Sequence, residues 1–131
     1  MTIEQLAAEL ERAYYADVAV RVGSGESVPA VETVAANAYM MPISRRVARA
    51  GVRQMRQARR QGNRLQQRDL VSVVARDAER DIRDDDACGS MIAVIGWVVL
   101  EKLLWNLAFR FASWLLIDSD RDDLICKMEA E

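Results

Sequence analysis

Apolar residues recur at helical spacing along most of the chain. Ile3, Leu6, Ala7, Leu10, Tyr14 and Val18 follow the i, i+3, i+4 rhythm of a helix face turned toward a core. Thr2 and Gln5 stand ahead of them as T-x-x-Q, the capping-box pattern. A first helix is therefore expected from about 3 to 20, closed by Gly23-Ser24-Gly25. Ser27 and Pro29 suit the start of a second helix, with Val31, Val34, Ala35, Ala38 and Tyr39 as its apolar stripe. It is expected to stop near Met41, because a proline disfavours helical backbone in the residue before it. Pro42 then either opens a third helix over 43–61 or kinks one continuous helix. Gly62-Asn63 ends that segment, and Asn63 is placed to cap a fourth helix at about 65–83, with Leu70, Val71, Val74, Ala78 and Ile82 inward. No strand alternation and no repeat interrupts this pattern. The fold class is all-α: four or five helices in one domain over residues 1–131, packed around a long hydrophobic helix at about 91–117.

That last segment reads MIAVIGWVVLEKLLWNLAFRFASWLLI, with Ser90 as a natural N-cap. Its length would span a bilayer core of about 30 Å. Glu101 and Lys102 sit in mid-segment, Arg110 adds a third charge, and both flanks are acidic. Each charge near a bilayer centre costs about 2.5–3.5 kcal/mol on insertion scales. Lys102, Asn106, Arg110 and Ser113 share one face, and the remainder is apolar. A helix apolar nearly all round is buried in a bundle or in an oligomer. Four amphipathic helices cover such a helix only in part, so a subunit interface is expected at Trp97, Leu104, Trp105, Phe109 and Trp114.

The segment before it has the opposite character. Nine Arg and no acid lie between 45 and 68. Arg45, Arg49, Arg53, Arg56, Arg60 and Arg64 fall on one helix face, a basic stripe about 28 Å long, with Arg46 at its edge. Ile43, Val47, Ala50, Gly51, Met55 and Ala58 take the other face, and its small residues would let another helix approach closely. The stripe can pair with the acids of 77–86 (Asp77, Glu79, Asp81, Asp84, Asp85, Asp86) or contact another subunit. It can also neutralise phosphates of a nucleic acid or meet an anionic membrane surface.

Composition narrows the chemistry. The chain has 131 residues, 18 basic and 20 acidic, with a formal charge of −2. It contains no His, which removes the commonest general base and metal ligand. Cys88 and Cys126 stand 38 positions apart and form no C-x-x-C, which reads as two reduced thiols. The opening MTIEQLAAELER does not read as a signal peptide, so a cytoplasmic setting or a soluble particle is expected. Residues 118–129 place Asp118, Asp120, Asp122 and Glu129 at positions 1, 3, 5 and 12 of a calcium-loop pattern. Asp123 replaces the glycine that pattern needs at position 6, and an acidic helix start accounts for the same residues. No nucleophile comes with a base, and no phosphate or dinucleotide loop is present.

These features point away from an enzyme. The expected function is a structural or assembly one: a helical subunit of a homo-oligomer or larger complex, by analogy of size with phage and virus particle components. The alternative is a nucleic-acid-binding module using the Arg-rich helix 43–61. A second alternative is a membrane-anchored protein with its span at 91–117. No cofactor, metal or small-molecule substrate is implied.

Overall fold

The computed structural model describes residues 1–27, 30–62, 66–85, 89–117, 124, 125, 127 and 128, without the side chains of 30–38, 90 and 117. Five helices and no strand occur among them: α1 (Ile3–Gly23), α2 (Ala30–Arg60), α3 (Gln67–Asp84), α4 (Gly89–Ile95) and α5 (Trp97–Ile117).

α1 begins where the capping box places it. The Gln5 amide donates to the Thr2 hydroxyl at 3.2 Å, and the Thr2 amide donates to the Gln5 side chain at 2.7 Å. Two amide hydrogens that the helix start would leave unpaired are thereby satisfied. Ile3, Leu6, Ala7, Leu10 and Tyr14 are buried along one face.

α2 does not stop at Met41. It runs through Pro42 as one helix of 31 residues. Proline removes one amide from the ladder, but its ring is exposed here, and its carbonyl is free to accept later in the helix. The face C-terminal to Pro42 is apolar and packed: Ile43, Val47, Ala50, Val52, Met55 and Ala58 are all buried.

α3 starts at Gln67 with Gln66 at its N-cap and no side-chain cap bond. The expected cap, Asn63, lies outside the described residues. Leu70, Val74, Ala75, Ala78 and Ile82 face inward, and Val71 packs at the edge.

The hydrophobic segment is not one helix. Gly96 takes φ +78 and divides it into α4 and α5. Its amide donates to the Ile92 carbonyl at 2.9 Å, closing α4 with a left-handed cap, and its own carbonyl accepts from Leu100 at 3.2 Å, opening α5. Ser90, expected as an N-cap, lies within the first turn of α4. Any residue with a Cβ strains this backbone, so Gly96→Ala is expected to cost about 1–2 kcal/mol. A urea midpoint unchanged within error would contradict the role given to this glycine.

The helices enclose one contiguous core, drawn from all five elements together with Ile125 and Met128. α5 lies at its centre, and Leu100, Leu103, Leu104, Leu107 and Phe111 are closed off from solvent. Each such side chain contributes about 1.5–3 kcal/mol of transfer free energy. α3 runs antiparallel to α5: Gln67 at its start bonds Ser113, and Arg83 near its end lies 4.0 Å over the Trp97 ring. α2 crosses α5 where Gly51 meets the ring of Phe111. α1 reaches α5 through Asp17, which accepts from Arg110 at 2.9 Å.

Candidate interaction surfaces

Two surfaces carry the residues singled out from the sequence: the basic face of α2 and the outer face of α5.

The basic face is engaged by its own chain. Arg53 donates to Asp77 through Nε at 3.1 Å and Nη2 at 2.8 Å, and to Asp81 at 2.7 Å. Gln54 adds a bond to Asp77 at 2.8 Å, and Arg46 pairs with Asp85. The antiparallel course of α2 and α3 produces this order, higher numbers on one helix meeting lower numbers on the other. Arg45 and Arg60 remain exposed, Arg49 and Arg56 are half-buried, and Arg64 lies outside the described residues.

The Asp77 carboxyl feels opposing influences. Burial works to raise its pKa, but the hydrogen bonds from Arg53 and Gln54 and the charges of Arg53 and Arg80 outweigh that and hold it below the usual carboxylate value. Hydrogen bonds to Asp77 and Asp81, with their charges, hold the Arg53 guanidinium above its ordinary value, against the effect of burial. A depressed carboxyl stabilises the fold in full above its unfolded pKa, and that contribution fades as pH falls through the folded value. Asp77→Asn is therefore expected to cost about 1 kcal/mol at neutral pH, a modest figure because Arg53 is half-exposed, and to flatten the loss of stability on acidification below about pH 4. Thermal melts between pH 3 and pH 7 read this. Parallel curves for both proteins would show that Asp77 is not a linked group.

The outer face of α5 is apolar. Val98 is 68% exposed, Trp105 37%, Phe109 53% and Leu116 58%. They share one side of the helix, with Lys102 at its edge. Trp105 and Phe109, two of the five residues expected at a subunit interface, stand outward. Leu104 does not: it is 1% exposed, inside the core of a single chain, because one residue of helix turns a side chain by about 100°. Trp97 and Trp114 are partly covered by their own chain, under Arg83 and beside Phe111 at a ring separation of 6.2 Å. Val98 and Leu116 were not singled out from the sequence. They lie at helical spacing with Trp105 and Phe109, but so do the buried Leu100, Leu104, Leu107 and Phe111 among themselves, so spacing alone does not mark them.

The polar face of α5 is also used internally. Arg110 pairs with Asp17 on α1, and Ser113 accepts from Gln67 on α3. No helix among the described residues is long and apolar enough to cross a membrane. The break at Gly96 divides the segment 91–117, which the membrane-anchored alternative requires as a single span, and that alternative does not hold. Most of the calcium-loop pattern at 118–129 lies outside the described residues, and no group of three metal-ligating side chains occurs among the described ones.

No protein-family model, curated protein or solved structure matches this chain.

Proposed function

We propose that this chain is a non-enzymatic structural or assembly protein, a helical subunit that associates through the outer face of α5. The observation that carries this reading is the row of large apolar side chains at Val98, Trp105, Phe109 and Leu116. Scattered exposed apolar residues are ordinary, but four on one side of a helix, two of them aromatic, resemble the centre of a protein interface. The setting this suits is the cytoplasm or the interior of a soluble particle.

The nucleic-acid reading draws on the same Arg face but finds it partly committed. Arg53 and Arg46 are spent on Asp77, Asp81 and Asp85, and acids beside a basic stripe repel phosphate. Reversing the exposed Arg45 and Arg60 to Glu separates the two readings. Loss of DNA or RNA binding at unchanged molar mass would favour the nucleic-acid module.

Light scattering on a sizing column tests the assembly reading directly. A species at a multiple of 14.8 kDa is expected for the wild type. Phe109→Glu is expected to shift it to the mass of one chain with helical content retained, because the charge would be buried unpaired in the contact. A wild-type monomer at all concentrations overturns the reading.

A further inference from the structure

The four apolar side chains on the outer face of α5 are placed symmetrically. Trp105 and Phe109 stand two residues to either side of Leu107, and Val98 and Leu116 stand nine. A copy of the helix turned end for end about an axis at Leu107 therefore presents the same row in register. We propose that α5 pairs antiparallel with α5 of a second copy about a two-fold axis at the level of Leu107, with Trp105 against Phe109 and Val98 against Leu116 across the contact. This names the partner and the register, and it rests on the association reading above.

A two-fold interface requires one patch to be complementary to itself. Equal offsets about a centre meet that requirement for the antiparallel pair. The two aromatic pairs come together at the middle, where interface energy concentrates, and the two aliphatic pairs close the ends.

Charge decides between the two directions of pairing. In a parallel two-fold pair, Lys102 of the two copies lies at one level across the contact, and like charges brought that close are destabilising. In the antiparallel pair, Lys102 is level with Ala112, and Glu101 is level with Ser113. The two Lys102 levels then lie ten residues apart, about 15 Å along the axis. That exceeds the Debye length of about 8 Å at physiological salt.

Area sets the strength. With whole aromatic side chains at about 150–250 Å², the four exposed side chains offer roughly 400 Å² per copy. That is about half of the ~800 Å² per partner in a standard complex, so the pairing belongs with the smaller, reversible interfaces. Molar mass is expected to rise with concentration.

Cross-linking reads the register. With Cys88 and Cys126 replaced by Ser, Val98→Cys and Leu116→Cys are made separately, and each is first shown by light scattering to keep the wild-type mass. A short bismaleimide is then added at a concentration where that mass is a multiple of one chain. In the antiparallel pair, the two Val98 levels lie 18 residues apart, about 27 Å, beyond reach of the reagent. Either variant alone is expected to stay uncoupled, and their mixture is expected to give a covalent dimer. Coupling of Val98→Cys with itself would establish the parallel pair and overturn the proposal. A multiple mass with no coupling in the mixture would overturn this register and leave the association reading standing. A monomer at every concentration would overturn both.

Discussion

Phe111→Ala is expected to lower stability by about 3–5 kcal/mol, toward the upper end for a large-to-small change in a core. Phe111 is fully buried at the centre of the α2–α5 crossing. Its loss removes the transfer free energy of the ring and leaves a cavity. The cost of a cavity depends on how far its walls can collapse. Here the wall facing the ring tip is Gly51, which has no side chain to move inward. The residues around it are held on two long helices, α2 and α5, and cannot approach without shifting a whole helix. Domains of this size are stable by about 5–15 kcal/mol, so the variant would stand near the limit of folding. Urea denaturation followed by circular dichroism measures it. A loss below about 1 kcal/mol would mean that the crossing is looser than the structure shows.

The reciprocal substitution, Gly51→Leu, is expected to cost about 2 kcal/mol or more. A Cβ built at Gly51 would lie 2.6, 2.7 and 2.8 Å from three ring atoms of Phe111. Real side chains do not approach that closely, so the ring or the helix must move. Overpacking of this kind costs about 1–3 kcal/mol, occasionally more. Replacing a mid-helix glycine returns about 1 kcal/mol of helix propensity, which offsets part of the clash from the Cβ but not that of the whole side chain. The double variant separates these contributions. In Gly51→Leu with Phe111→Ala, the leucine can enter the space vacated by the ring. The pair is expected to be more stable than Phe111→Ala alone, by about 1 kcal/mol or more, as residues in contact couple. Simple additivity of the two losses would place the residues out of contact.

At the α2–α5 crossing, residue types mark the face that is buried but not the side chain that fills it. The face formed by Ile43, Val47, Ala50, Gly51, Met55 and Ala58 was legible as the buried, closely approached side of a helix, and it is buried. Its smallness was visible in residue types alone. That Phe111 fills it was not, because the partner of a small residue depends on where another helix crosses. The basic face behaves similarly. Arg53 and the acids of 77–86 were recognisable as complementary groups, but Asp77 and Asp81 are chosen by the antiparallel register of α2 and α3. Pro42 was ambiguous for a local reason: a missing amide either ends a helix or is tolerated within one. The helix runs unbroken from Ala30 to Arg60, so here the proline is tolerated.

What the order of residues determines by itself is the set of local elements: the capped start at Thr2, the apolar rhythm of α1 and α3, the end of α2 near Gly62, and an all-α fold. These follow from contacts three or four residues apart along the chain, and periodicity records such contacts. The outward side of α5 follows from no such contact. A helix apolar nearly all round carries no periodic mark of inside and outside, so Leu104 and Trp105, adjacent in the chain, were equal candidates for an interface. α1, α2 and α3 pack around α5 and enclose Leu104, while Trp105 stays open. Gly96 is alike in this respect: glycine is tolerated within a helix or at its end. Here the left-handed turn that it alone takes without strain separates α4 from α5, and both then pack on the core.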